Sequence, residues 1–188
     1  MQAGFGRTGK LFGYMHYDIK PDLIACGKGV SSSLPLAIVL SSKEIMDLPA
    51  VGSMSSTNSA NPLSCVAGHH SLKALIEDGL IENSKALGVI LHKKLQELCG
   101  KYPEYISNVY GIGLLAGIIF SGSNNRPLSE LCSIVCEKAM QRGLILVHTG
   151  RESIKIGPPL SITEDALIEG IQVLDECIND SISEEKVC

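Results

Sequence analysis

A chain of 188 residues that is 45% hydrophobic and 19% charged can bury a real core, which sets it apart from disordered sequences. Its net charge of −4 excludes a basic nucleic-acid-binding surface, and no apolar run approaches the length that spans a bilayer. The opening MQAGFGRTGK carries no signal-peptide pattern, and the seven cysteines are an odd count without a CxxC spacing, so a cytoplasmic chain without a disulfide framework is expected.

The first stretch, QAGFGRTGKLFGY, is glycine-rich and turn-like and reads as a loop from within a larger domain. In it Gly4, Gly6 and Gly9 are expected to set backbone geometry, and Arg7 is assigned no chemistry. DLIAC and LPLAIVLSS follow as short apolar runs bounded by Gly, Pro and Ser, the pattern of strands covered on both faces, as in a parallel sheet. At Pro62 the period changes: Asn61 is a candidate N-cap and Pro62 suits the first helical position. A second helix is expected from about residue 81 to 99, with Leu87, Leu91, Leu95 and Leu98 as its inner stripe and Gly100 closing it.

Residues 106–120 read as strand, glycine turn and strand, and residues 127–142 as a third helix that stops at Gly143. Its Cys132 and Cys136, at helical i,i+4 spacing, are expected to be buried thiols rather than metal ligands. LILVH and SIKIG suggest two further strands. Thr163 then caps a last helix whose apolar face is Leu167, Ile168, Ile171 and Leu174, with a polar, fraying tail after it. His69 and His70, adjacent on a helix, point to different faces and suit packing and surface better than a metal. The expected domains are residues 1–100 and a compact α+β unit over 101–188.

One lysine interrupts the uncharged run between Asp22 and Lys43: Lys28, set between Gly27 and Gly29 at the end of DLIAC. Three readings compete. It is a solvated turn lysine, a phosphate-binding lysine, or an amine that bonds an aldehyde. The P-loop spacing is absent from ACGKGVSSS. A pocket at a strand end would favour the neutral, nucleophilic amine, and flanking glycines would allow a ligand close to the backbone.

GFGRTGKLFGY, KPDLIACGKGVSSSLPLA, SSTNSANPLSC and IKIGPPLSIT stand in this order, and together they resemble the class III aminotransferases, which depend on pyridoxal phosphate (PLP). The resemblance runs from Gln2 to about Asn179 and covers only the C-terminal half of such an enzyme. It implies an α/β fold: the C-terminal part of the large domain of a fold type I (aspartate aminotransferase-like) PLP-dependent transferase, followed by the α+β small domain. By the same resemblance Lys28 matches the lysine that forms the Schiff base with PLP and moves the substrate proton. Gln2 matches a glutamine near the cofactor's phenolic oxygen, and Thr57 a threonine that binds the cofactor phosphate of the neighbouring subunit. A homodimer with its sites at the interface is therefore implied, with a small-molecule amino donor and a keto or aldehyde acceptor as substrates.

Two departures stand out. The resemblance puts the Asp that pairs with the cofactor's pyridine nitrogen two residues ahead of Met1, together with the phosphate loop and the stacking aromatic of the N-terminal half. Where many relatives carry an arginine for the substrate carboxylate, three residues before Pro158-Pro159, this sequence has Lys155, a point charge without the bidentate fork. Weaker carboxylate binding, help from Arg151, a substrate without that carboxylate, or a plain strand lysine are the readings left open. The function expected is amino-group transfer through Lys28. A catalytically incompetent half-chain with a structural or dimerisation role and a PLP aminomutase or racemase are the alternatives.

Overall fold

A computed structural model describes residues 2–122, 126–150 and 152–185. The chain divides into two compact units, Met1–Glu82 and Asn83–Cys188, and each is described by itself.

In the first unit a loop closed by the Gly4–Phe12 bridge leads through a 3-10 turn, Gly13–His16, to β1, Leu23–Cys26. A second 3-10 turn, Lys28–Val30, follows, then β2, Ile38–Ser41, a short helix α1, Lys43–Met46, and helix α2, Pro62–Glu77. Asn61 caps α2 as its sequence promised: its side-chain oxygen accepts from the amides of Leu63 (3.1 Å) and Ser64 (3.3 Å). The two strands pair with each other in antiparallel register, Leu23 opposite Ser41 and Cys26 opposite Ile38. That departs from the buried, parallel arrangement their apolar runs suggested. Leu23, Val39 and Leu40 are exposed, and among the described residues neither strand has a second neighbour.

The second unit holds the hydrophobic core. Helix α3, Leu80–Lys101, buries Leu87, Leu91, Leu95 and Leu98, the stripe read from the sequence. Strands β3 (Ile106–Ile112) and β4 (Leu115–Gly122) form a hairpin, and β5 (Arg126–Pro127) pairs with the end of β4. Helix α4, Ser129–Gln141, is followed by β6 (Val147–Thr149), β7 (Ser153–Ile156) and α5 (Glu164–Glu185). The sheet is antiparallel in the order β3-β4-β7-β6. Alternation along β4 and β7 turns Ala116, Ile118, Phe120, Ile154 and Ile156 to one face, where they pack with the apolar faces of α3, α4 and α5.

Three local expectations change. The strand drawn through LILVH begins only at Val147: Gly143 ends α4 with φ +83°, and Leu144 and Leu146 turn to the core without ladder bonds. The tail expected to fray stays helical to Glu185, because Ser181 and Ile182 continue the buried stripe of α5 below Cys177 and Ile178. Cys132 is fully buried, but its i,i+4 neighbour Cys136 is only partly so. No cluster of His, Cys, Asp or Glu suited to a metal occurs among the described residues, His69 and His70 included, and no described helix is long and apolar enough to cross a membrane.

Candidate active site

Strand β1 delivers the chain to Gly27, which is fully extended (φ −158°, ψ −168°), and then to Lys28 at φ +48°, in the left-handed region. Such a conformation for a residue with a Cβ costs on the order of 1–3 kcal/mol and persists only where its surroundings impose it. The surroundings here are specific. Val30 is buried at the far end of the 3-10 turn and its amide bonds back to the Gly27 carbonyl (3.4 Å), while the Ser31 hydroxyl donates to the Leu34 carbonyl. A Cβ on Gly29 would sit 3.0 Å from the Phe5 ring, and one on Gly68 of α2 would sit 2.7 Å from Leu36 and 3.4 Å from the Val30 carbonyl oxygen. Phe5 and the helix therefore pin the turn from two sides. The Lys28 side chain itself is exposed and has no ion pair among the described residues.

Beside this turn lies a pocket of about 210 Å³ whose walls include Phe5, Phe12, Tyr14, Ala25 and Gly27. Phe5 and Phe12 meet edge to face at 5.6 Å between centroids, and Phe12 stacks on Tyr14 at 5.8 Å. Neither Gln2 nor Lys28 is among the pocket's lining residues; they are the chain neighbours of Ala3 and Gly27, which are. The aromatic walls went unnoticed in the sequence; their signal is the spacing of Phe5, Phe12 and Tyr14 around the glycines. Arg7 is half-buried in the same loop, and desolvation lowers its pKa.

Thr57 is exposed in the loop between α1 and α2, at the second position of a turn closed by the Ser59 amide on the Ser56 carbonyl (3.1 Å). It does not line the Lys28 pocket. Lys155 belongs to the second unit, where β7 places it opposite Gly117 on one side and Val147 on the other. It is half-buried and, among the described residues, is the one charged residue lining a pocket of about 410 Å³ walled by Leu144, Leu146, Pro158, Leu167 and Ile171 among others. That volume lies within the range of small-molecule sites. Arg151, weighed as a substitute for the missing fork, lies outside the described residues.

The residues present fit part of a PLP site. An unpaired primary amine on a strained turn, next in sequence to the lining residue Gly27, suits the aldehyde end of such a group, and the aromatic walls suit its flat ring. Among the described residues no carboxylate lines the pocket to pair with a ring nitrogen.

The fold is that of part of a fold type I, PLP-dependent transferase. The acetylornithine aminotransferase structure from Elizabethkingia anophelis superposes with a TM-score of 0.88 at 32% identity, over 95% of this chain and 44% of that one. The S-selective transaminase structure from Arthrobacter sp. superposes with a TM-score of 0.89 at 31% identity, over 97% and 43%. The family profile described as aminotransferase class-III matches residues 1–178, and the chain belongs to that family.

Among curated relatives, the alanine/serine racemase of Pyrococcus horikoshii is 35% identical over 97% of this chain and 39% of its own length. The acetylornithine aminotransferase of Synechocystis sp. is 34% identical over 95% and 40%, and the 4-aminobutyrate aminotransferase of Escherichia coli is 32% identical over 96% and 43%. The chain thus spans about two fifths of the length of the relatives it matches.

Proposed function

We propose that this chain is the C-terminal portion of a PLP-dependent aminotransferase that exchanges an amino group between a small-molecule donor and a keto or aldehyde acceptor. The observation that carries the reading is Lys28: an unpaired amine held at φ +48° between two glycines, at the end of β1 and directly after Gly27, which lines the pocket walled by Phe5 and Phe12. A left-handed lysine is costly unless its position matters. PLP, when bound, supplies the aldehyde that captures an amine and the conjugated ring that takes up the electron pair of a broken bond.

The chain's own residues divide the remaining work. Lys28 holds the cofactor covalently and, at its Nζ, holds or moves the proton taken from substrate. Gly27 puts no side chain between the backbone and the pocket. Gln2 orients a ring oxygen. Thr57, exposed and outside its own chain's pocket, offers its hydroxyl to the phosphate bound by a partner subunit, in a cytoplasmic homodimer. Lys155 presents one positive charge to the substrate in an otherwise apolar pocket.

A second reading has a specific observation behind it, since one of the relatives is an alanine/serine racemase. Racemisation and aminomutation would need no second substrate to restart the cycle, so dependence on a keto acceptor separates either from transamination.

The test is borohydride reduction of the purified protein with PLP, followed by peptide mapping. The expected result is an adduct on the peptide carrying Lys28, lost in Lys28→Ala. Labelling spread over exposed lysines without preference for Lys28 would overturn the assignment and favour a non-catalytic, structural role.

A further inference from the structure

Directly opposed residues of antiparallel strands share a face of the sheet. In the second unit the ladder opposes Tyr110 of β3 to Gly117 of β4, Gly117 to Lys155 of β7, and Lys155 to Val147 of β6. These four residues form one row across the sheet. The strand neighbours of Gly117 and Lys155, namely Ala116, Ile118, Ile154 and Ile156, are buried in the core, so the row lies on the other face. The next row agrees: Thr149 and Ser153, opposed in the ladder, meet through their hydroxyls at 3.0 Å.

Gly117 is the odd member of the row. A glycine inside a strand costs stability and commonly marks a bulge, a barrel corner, or a close approach of another backbone or a ligand. The register runs without a shift from Asn108 opposite Ile119 to Ile112 opposite Leu115, which excludes a bulge. The sheet is open, with β3 and β6 at its edges, so Gly117 is no barrel corner. Its φ lies outside the left-handed region, and a Cβ there would meet nothing within 4 Å, so no described backbone presses on it. A ligand is the remaining reason for the gap.

The groups beside the gap say what that ligand is. Neighbouring strands lie about 4.8 Å apart, so the Tyr110 and Lys155 backbones stand about 10 Å apart with Gly117 between them. Tyr110 is 63% exposed and Lys155 half-buried, and among the described residues neither side chain has a hydrogen-bond or ion-pair partner. One hydroxyl and one ammonium thus flank a floor of bare backbone. Two donors, one of them charged, suit the two oxygens of a carboxylate. Val147, at the end of the row, and Lys155 also line the apolar pocket, which offers an aliphatic chain a surface next to the charge.

We propose that Tyr110 is a specificity-determining residue, whose hydroxyl donates with the Lys155 ammonium to a substrate carboxylate seated over Gly117. Two side chains on separate strands supply the pair of donors that one forked side chain would supply. The inference rests on the reading of Lys155 as a substrate-binding residue and adds Tyr110 and Gly117 to it.

The probe is hexanoate, with hexanamide as its uncharged counterpart, titrated into the full 188-residue chain at constant ionic strength without PLP. Amide chemical shifts of the second unit read the binding. Saturating shifts centred on Gly117 are expected with hexanoate and not with hexanamide. Tyr110→Phe should raise the hexanoate Kd at least fivefold. Gly117→Val should raise it at least tenfold although both donors remain, and urea midpoints matching the parent show that the variants fold. An unchanged Kd in Tyr110→Phe, beside a large loss in Lys155→Met, would overturn the role of Tyr110 and leave that of Lys155 standing. An unchanged Kd in Lys155→Met would overturn both roles. Absence of any hexanoate-dependent shift in the parent would overturn the carboxylate site itself.

Discussion

Gly88, in the middle of α3, is where a single added methyl group most directly tests the packing of the second unit. On helix propensity alone Gly88→Ala should stabilise, by up to about 1 kcal/mol. The tertiary structure opposes this. A Cβ at Gly88 would lie 2.5 Å from the Gly113 Cα and 2.7 Å from its carbonyl carbon, where carbon atoms ordinarily rest about 3.5–4.0 Å apart. The obstacle is backbone and not the free end of a side chain. Gly113 sits at φ +62° in the β3–β4 turn, between the paired residues Ile112 and Leu115, and the next residue, Leu114, is fully buried with its amide 3.4 Å from the Ser84 hydroxyl oxygen. The turn or the helix must retreat by about 1 Å to reach van der Waals distance.

Overpacking of this kind costs about 1–3 kcal/mol or more, which outweighs the propensity gain. Gly88→Ala is therefore expected to lower stability by about 1–2 kcal/mol, or the melting temperature by about 2–8 °C for a chain of this size. Gly100→Ala is the matched control: it lies in the same helix and its Cβ would meet nothing within 4 Å, so a gain of about 0.5 kcal/mol is expected. Urea titrations followed by circular dichroism measure both. If Gly88→Ala unfolds at or above the urea midpoint of the parent, the close approach of α3 to the hairpin is wrong.

His92 lies on α3 with its Nε2 buried and without a hydrogen-bond partner among the described residues, and burial lowers its pKa from 6.5. Its folded pKa is thus below its unfolded one, so its stability contribution is complete above about pH 6.5 and is lost as pH falls toward the folded value. His92→Gln should flatten the fall in urea midpoint between pH 7 and 5; an unchanged slope would rule His92 out as its source. Burial pushes the Cys132 thiol up to about 12, whereas Cys65 is exposed. With a disulfide reagent at pH 8, Cys65→Ser should remove one fast-reacting equivalent and Cys132→Ser none. The Tyr102 hydroxyl donates to the Asp175 carboxylate at 2.6 Å, joining the end of α3 to α5. Tyr102→Phe should cost about 1 kcal/mol in the same urea assay, and a neutral effect would count against a net contribution from that bond.

Local order and local chemistry were open to reading from the chain itself. Asn61-Pro62 announces the start of α2, the leucines at 87, 91, 95 and 98 give α3 its buried side, and Leu167, Ile171 and Leu174 do the same for α5. Each is a signal carried within one or two helical turns, where side-chain spacing alone decides which face is apolar. Lys28 was legible for a related reason: a single charge between two glycines in an uncharged run stands out without any knowledge of what surrounds it.

Other features depend on residues far apart in sequence. The apolar runs of β1 and β2 look like buried strands, but whether a strand is buried is settled by what pairs with it and lies over it; among the described residues each pairs only with the other, and Leu23, Val39 and Leu40 stay exposed. The left-handed backbone at Lys28, the aromatic pocket formed when Phe5 and Phe12 meet, and the contact between Gly88 and Gly113 all require chain segments to converge. The helical tail beyond Asn179 belongs with these. Its composition is polar, and it stays ordered because Ser181 and Ile182 continue the face of the helix that the core already holds.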